Sequence, residues 1–345
     1  MATINLYSDT QTTPSQGMRA AIADAQVGDE QRFLDPLVAE LQRRVADMLG
    51  FDSAVFLPTG TMCNAIAVRV HIGSTGDEII CDQTAHPVCL EAGGPAALSG
   101  ASLQTLSGNG GVFEPEAFAE AIRPQSRYAP RSRLVIVEQT TNLGGGRVWP
   151  LDTVREIVAV ARSHGMRCHL DGARLLNACV ASGVSASDYA EGFDTAWIDF
   201  TKGLGAPVGA VLAGSEALID QIWRYKQMFG GAMRQAGVLA AGCLYALDHN
   251  LERLAIDHSN ARTLARGLSD IPGVYVDPAL VETNIVIFEV ADAASVAEAL
   301  RSLGVEASVV GRNRLRMVTH LDIDQSAIER AIQAVGDAVG HSAPA

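Results

Sequence analysis

Lys202 stands just after an apolar run, Thr195 to Phe200, and is followed at once by the turn GLGAPVG. A surface lysine needs no such glycine-rich seat. At the end of a strand its ammonium group is desolvated, which lowers its pKa and makes the amine a nucleophile toward a carbonyl. Asp171 closes a second apolar run, RCHL, and His86 follows a third, EIICDQTA. A fourth run, SRLVIVE, opens into a polar loop from Glu138 to Asn142 with glycines at 144 to 146 behind it. Ligands of open α/β sheets gather at the carboxyl ends of the strands, so these groups fall in one predicted cleft. No three-glycine dinucleotide fingerprint and no Walker sequence accompanies them, which turns the reading away from nicotinamide and nucleoside-triphosphate chemistry. What remains is an amine nucleophile beside a carboxylate suited to a cationic ring nitrogen, the pair that pyridoxal phosphate requires.

The elements that must position these groups alternate. Short apolar strands (SAVFLP, DEIICDQ, ASLQTLSG, SRLVIVE, MRCHLD, DTAWIDF, GAVLAGS) are separated by helical patterns of 10 to 15 residues, such as LDTVREIVAVARSHG. That alternation predicts a mostly parallel sheet covered by helices. Asp35 and Pro36 open one helix and Gly50 ends it. After Gly214 the texture changes to long helices, then to TNIVIFEV, SVAEALRSLG, RLRMVTH and a final helix before the frayed tail HSAPA, a smaller α/β module with antiparallel character. The chain divides into residues 1–245, an N-terminal arm with a large domain, and 246–345, a small C-terminal domain.

With 345 residues, 48% hydrophobic, the chain buries a large core, and its net charge of −13 disfavours nucleic acid and anionic membrane as partners. The start carries no secretory pattern and no run is long enough to span a membrane. Six cysteines (Cys63, Cys81, Cys89, Cys168, Cys179, Cys243) show no zinc-ligand spacing and read as reduced and mostly buried, as in a cytoplasmic protein. No metal site is expected. His71 and His164, at helix ends, read as local structure, and Trp149, Trp197 and Trp223 as core or interface packing.

Seven blocks in order carry a resemblance: YSDTQTTP, FLPTGTMCN, AHPVCLEAGG, HLDGARLLNA, FTKGLGAPVGAVLAG, GGAMRQAG and LRMVTHLD. Over nearly its whole length the chain resembles the low-specificity L-threonine aldolases, in the β-eliminating lyase group of fold-type-I pyridoxal-phosphate enzymes. The resemblance implies the fold-type-I α/β architecture and assigns roles. Lys202 is the covalent anchor of the cofactor, and Asp171 pairs with its pyridine nitrogen. Gly60 and Thr61 hold its phosphate, while His86 stacks on its ring. Arg174 and Arg316, with Ser8, bind the substrate carboxylate. Only the family's R-x-V-T-H block selects Arg316 over Arg312 and Arg314. Arg234 is a phosphate or interface residue contributed across a dimer, with Lys226 near it.

The resemblance further implies cleavage of a β-hydroxy-α-amino acid (L-threonine, L-allo-threonine or a relative) to glycine and an aldehyde, in a homodimer or homotetramer with shared sites. Two departures fall where the substrate side chain should lie. Glu138-Gln139-Thr140-Thr141-Asn142 puts Thr141 where many members have histidine, so His86 or an ordered water takes up the proton work and Thr141 can at most relay it. The loop GDEQRFLDP puts Arg32 in place of a tyrosine, where it can meet a polar β-substituent and Phe33 an apolar one. The loss of the histidine also leaves open β-elimination, which releases ammonia and a keto acid.

Overall fold

The computed structural model describes residues 3–341; the tail from Ser342 onward lies outside them. Among the described residues twelve strands run in chain order: β1 (Ile4–Asn5), β2 (Ser53–Leu57), β3 (Glu78–Asp82), β4 (Ser102–Leu106), β5 (Ser132–Glu138), β6 (Arg167–Asp171), β7 (Thr195–Asp199), β8 (Ala210–Gly214), β9 (Ile285–Glu289), β10 (Val305–Glu306), β11 (Ser308–Gly311) and β12 (Arg314–Val318). Seven of them form the main sheet in the order β2-β8-β7-β6-β5-β3-β4. From β4 to β7 every neighbour pair is parallel, and β8 and β2 close one edge in antiparallel pairing.

Period-two alternation explains why these strands read as continuous apolar runs. Val135 and Val137 of β5 face one hydrophobic cluster, with Leu170 and Ile198, while Leu134 and Ile136 face another, with Ile79 and Cys81. Both faces are therefore buried under helices, as a parallel sheet requires. Asp35 caps the helix Pro36–Leu49 as expected, accepting from Leu37 and Val38 N–H, and it also accepts from Gly28 and Gly237, so one carboxylate ties three segments.

Because the strands from β3 to β7 run the same way, their carboxyl ends share one edge. There β3, β5, β6 and β7 finish in Asp82, Glu138, Asp171 and Asp199. Each carboxylate accepts a backbone N–H from the turn that follows: Thr84, Asn142, Ala173 and Thr201. The acids thus shape the loops that leave the sheet, in the manner of Asx turns.

The C-terminal module is a three-stranded antiparallel sheet, β11-β12-β9, under the helices Leu254–Ser269, Ala293–Ser302 and Gln325–His341. Its core includes Ile4 and Leu6. β1 pairs with β10, and Leu6 bonds both Glu306 and Val318 backbone, so the next residues, Tyr7, Ser8 and Asp9, are led to the sheet's carboxyl edge. Cys63, Cys81, Cys168 and Cys243 are buried, as expected for most of the cysteines, while Cys89 is exposed and Cys179 half-buried.

Gly172 fits only because it has no side chain: a Cβ there would collide with the Trp197 carbonyl of β7. Gly172→Ala should push β6 from β7 just behind Asp171 and destabilise the chain by about 1–3 kcal/mol, the usual range for overpacking. An unchanged thermal midpoint would contradict this packing.

Candidate active site

A cleft of about 700 Å³ opens at the carboxyl edge. The strand ends supply Glu138, Asp171 and Asp199, the helix Gly60–His71 supplies its first turn, the N-terminal segment supplies Tyr7 and Ser8, and β12 supplies Arg316. Ser8, Gly60, Thr61, His86, Asp171, Arg174, Lys202 and Arg316 all line it.

Lys202 is one of only two lysines in the chain, Lys226 being the other. Its Nζ donates to Asp199 Oδ2 at 3.0 Å, and its side chain keeps one fifth of its surface exposed. Full burial, expected from the strand-end position, is thus corrected to a partly open ion pair. The turn after it supplies the space: Gly203 lies against Leu254, and Gly205 adopts φ +75°.

Asp171 is fully buried. Oδ1 accepts from Ala173 N–H and Oδ2 from the Asn64 amide at 2.7 Å, with no cationic side chain in ion-pair contact among the described residues. Glu138, its register partner on β5, is nearly as buried and accepts from Asn142 N–H at 3.2 Å. Burial raises both carboxyl pKa values above the ordinary range, and mutual repulsion adds to it for Glu138. Glu138 meets a single N–H donor where Asp171 has two donors, so its charge is the less compensated of the pair. His86 Nδ1 bonds Glu91 at 2.8 Å. Burial opposes its charge, but that bond and the charges of Asp171, Glu91 and Glu138 outweigh burial and raise its pKa.

The two arginines differ. Arg174 is buried with its fork closed on Asp9, Nε and Nη2 donating at 2.8 and 2.7 Å. Burial disfavours the charge on Asp9, yet Arg174 prevails and holds its carboxyl far below the ordinary range. Arg316 is also buried but meets only neutral acceptors: Asn142 Oδ1 at 2.6 Å, Ser308 Oγ at 3.2 Å and the Tyr7 carbonyl at 3.3 Å. Burial, then repulsion from Arg174, lowers its pKa. A buried guanidinium with no carboxylate of its own is a receptor for one.

Three expected site residues lie off the cleft. Thr141 is buried in the loop after β5, its hydroxyl accepting from Arg147 N–H at 3.1 Å and its methyl facing Gly111, so it braces the glycine loop. Arg32 is on the surface beside Phe33, and Arg234 is exposed and paired with Asp29 at 3.2 Å. Lys226 is fully buried, paired with Glu30 and set over the Trp223 ring. Trp197, expected in the core, also lines the cleft, and its ring leaves no room for a Cβ at Gly60. Asn64, Glu91, Asp9 and Asp199 are polar contributors that the sequence reading did not single out. Each is paired to residues far away in the chain, or sits in an apolar helix or strand, so periodicity carries no sign of them.

Comparison with known proteins places this geometry in context. The sequence model described as Beta-eliminating lyase matches residues 5–307. "Low-specificity L-threonine aldolase 1" of Arabidopsis thaliana is 35% identical over 347 residues, covering 98% of this chain and 97% of its own length. The threonine aldolase structure from Leishmania major superposes with a TM-score of 0.83 at 20% identity, covering 97% of this chain and 99% of that one. A serine palmitoyltransferase from S. paucimobilis with bound PLP and myriocin gives 0.75 at 20% identity, covering 99% and 88%.

A carboxyl with a raised folded pKa keeps its proton where the unfolded chain has lost it, so stability falls as pH rises from the ordinary value toward the raised one. For Glu138 that window runs from about pH 5 to pH 8. In protein stripped of small molecules, urea midpoints should decline across it, and Glu138→Gln should flatten the decline. Parallel curves would contradict the assignment.

Proposed function

The chain belongs to the β-eliminating lyase family of fold-type-I enzymes, and from that premise we propose that it is a pyridoxal-phosphate lyase cleaving β-hydroxy-α-amino acids such as L-threonine or L-allo-threonine to glycine and an aldehyde. The observation that carries the reading is the placing of Lys202, Asp171 and Arg316 in one cleft. The residues fit the cofactor. Asp171 is a buried carboxylate with no ion-pair partner among the described residues, suited to a protonated ring nitrogen. Gly60 and Thr61 open a twelve-residue helix toward the cleft, and a helix N-terminus binds phosphate through its free N–H groups and its dipole. Lys202 supplies the amine. Bound there, pyridoxal phosphate supplies an electron sink for charge developing at the substrate α-carbon.

The chain's own groups do the rest. Arg316 binds the substrate carboxylate, with Ser8 beside it; Arg174, its fork held by Asp9, braces the N-terminal segment and keeps Nη1 and the second Nη2 N–H for other partners. Asp171 holds positive charge at the ring nitrogen. Lys202, oriented by Asp199, would hold the cofactor through its amine. Glu91 fixes His86 through Nδ1, leaving Nε2 to face the cleft. Asp171, His86 and Glu138 all line the cleft with pKa values raised toward neutrality; with Asp171 committed to the ring nitrogen, proton transfer at the β-hydroxyl falls to His86 and Glu138, directly or through one water. Thr141 supports this step by holding its loop, and relays no proton.

The finer assignments rest on surface features. Phe33 is 72% exposed and packs edge-on against Trp223, and Leu34 and Met228 are exposed nearby. Such a patch supports a subunit interface, a homodimer or homotetramer in which Arg32 and Arg234 reach a neighbouring site. All six cysteines are unpaired, which supports the reducing cytoplasm. The separate C-terminal core supports a small second domain, but residues 245 and 246 lie inside the helix Gly237–His249, and Ala246, Leu247 and Leu254 pack in the large-domain core, so the boundary is better set after Leu254.

Incubation with L-threonine and L-allo-threonine should yield glycine and acetaldehyde in equal amounts; ammonia and a keto acid would instead establish elimination. Arg316→Leu should raise KM for amino acid by about 10- to 100-fold, the loss of a charge-assisted hydrogen bond. Equal KM values would remove Arg316 from substrate binding.

A further inference from the structure

Asn64 lies one turn into the helix Gly60–His71, and its amide makes four hydrogen bonds. The orientation of that amide follows from one neighbour. An indole nitrogen only donates, so the Asn64 atom 2.9 Å from Trp197 Nε1 is the carbonyl oxygen. The same oxygen accepts from His169 Nε2 at 3.1 Å. Both Nδ2 protons are then committed, to Asp171 Oδ2 and Glu91 Oε1, each at 2.7 Å.

The rest of the chain of bonds follows without freedom. Burial lowers the His169 pKa to about 3, so the ring is neutral and its Nδ1 bare. Thr195 must donate to that nitrogen at 2.7 Å, and its oxygen accepts from His71 Nε2 at 2.9 Å. His71 is neutral too and ends the helix that carries Asn64. Residues 60, 64 and 71 share one helix face, so a single element bears the opening of the cleft, the amide and the far anchor.

We propose that Asn64 is a positioning residue whose amide clamps Asp171 and Glu91 together, setting at once the carboxylate opposite the cofactor's ring nitrogen and the orientation of His86. The proposal rests on the pyridoxal-phosphate reading above. Asp171 touches the cofactor; Glu91 acts only through His86; Asn64 is the only side chain in contact with both acids among the described hydrogen bonds. Trp197 and His169, the latter fixed by Thr195, together keep the amide from turning over, and removing either donor from the oxygen loosens it.

The test compares holoenzyme of the wild type with Asn64→Leu, His169→Phe and His169→Gln, measuring the cofactor dissociation constant, the visible absorption of the bound cofactor and the thermal midpoint. Asn64→Leu should weaken cofactor binding by about 10- to 100-fold and shift the absorption band. His169→Phe should move both readouts the same way. His169→Gln should restore them, because a carboxamide can still donate to Asn64 and accept from Thr195. Wild-type affinity and spectrum in Asn64→Leu, or equal behaviour of the two His169 variants, would overturn the proposal even if stability fell. If Asn64→Leu does not fold, the His169 pair decides. A wild type that takes up no cofactor would instead overturn the reading on which the proposal stands.

Discussion

Four of the main sheet's five parallel strands end in a carboxylate at one edge, and most of the cleft answers the problem of holding those charges together. Each acid spends one oxygen on a backbone N–H of its own turn. The second oxygen decides what the strand end does. Asp82 bonds Gly108 N–H and stays structural; Asp199 holds Lys202; Asp171 rests on Asn64. Glu138 receives only the Asn142 N–H and is driven toward its neutral form. A cationic ring nitrogen against Asp171 completes the balance, and the cofactor reading draws its physical basis from that charge distribution.

The cations are arranged with equal economy. Arg174 neutralises Asp9, which also accepts from Asn284, so the N-terminal segment, the main sheet and the C-terminal module meet at one buried pair. Breaking such a pair leaves an uncompensated buried charge, so it fixes the cleft's walls more than it adds stability. Arg316 is the opposite case: its neutral partners hold it in place and leave its charge for a substrate.

Much of this was legible in the sequence. Lys202, Asp171 and His86 follow apolar runs at predicted strand ends, and chain direction in a parallel sheet carries such ends to one edge. Gly60 was legible only through the resemblance; its physical reason, the Trp197 ring, lies on another strand. Arg312, Arg314 and Arg316 are equivalent by pattern, and only the folding of Tyr7 and Asn142 over β12 distinguishes the last. Asn64 reads as one more residue of an apolar helix until Asp171, 107 positions away, is placed beside it. The two-residue strand β1 has no periodicity to read, so its pairing with β10 was not visible. Thr141 was marked by comparison of loops, and its position behind the cleft came from the glycine turn that it braces.

The central claim is that Lys202, held by Asp199 in the acid-lined cleft, carries the cofactor. The chain offers one other lysine, Lys226, sealed against Glu30. Borohydride reduction of the cofactor-loaded protein followed by peptide mass mapping distinguishes them directly. The account predicts a pyridoxyl adduct on Lys202 alone, absent in Lys202→Ala; an adduct on Lys226, or none on either lysine, would contradict it.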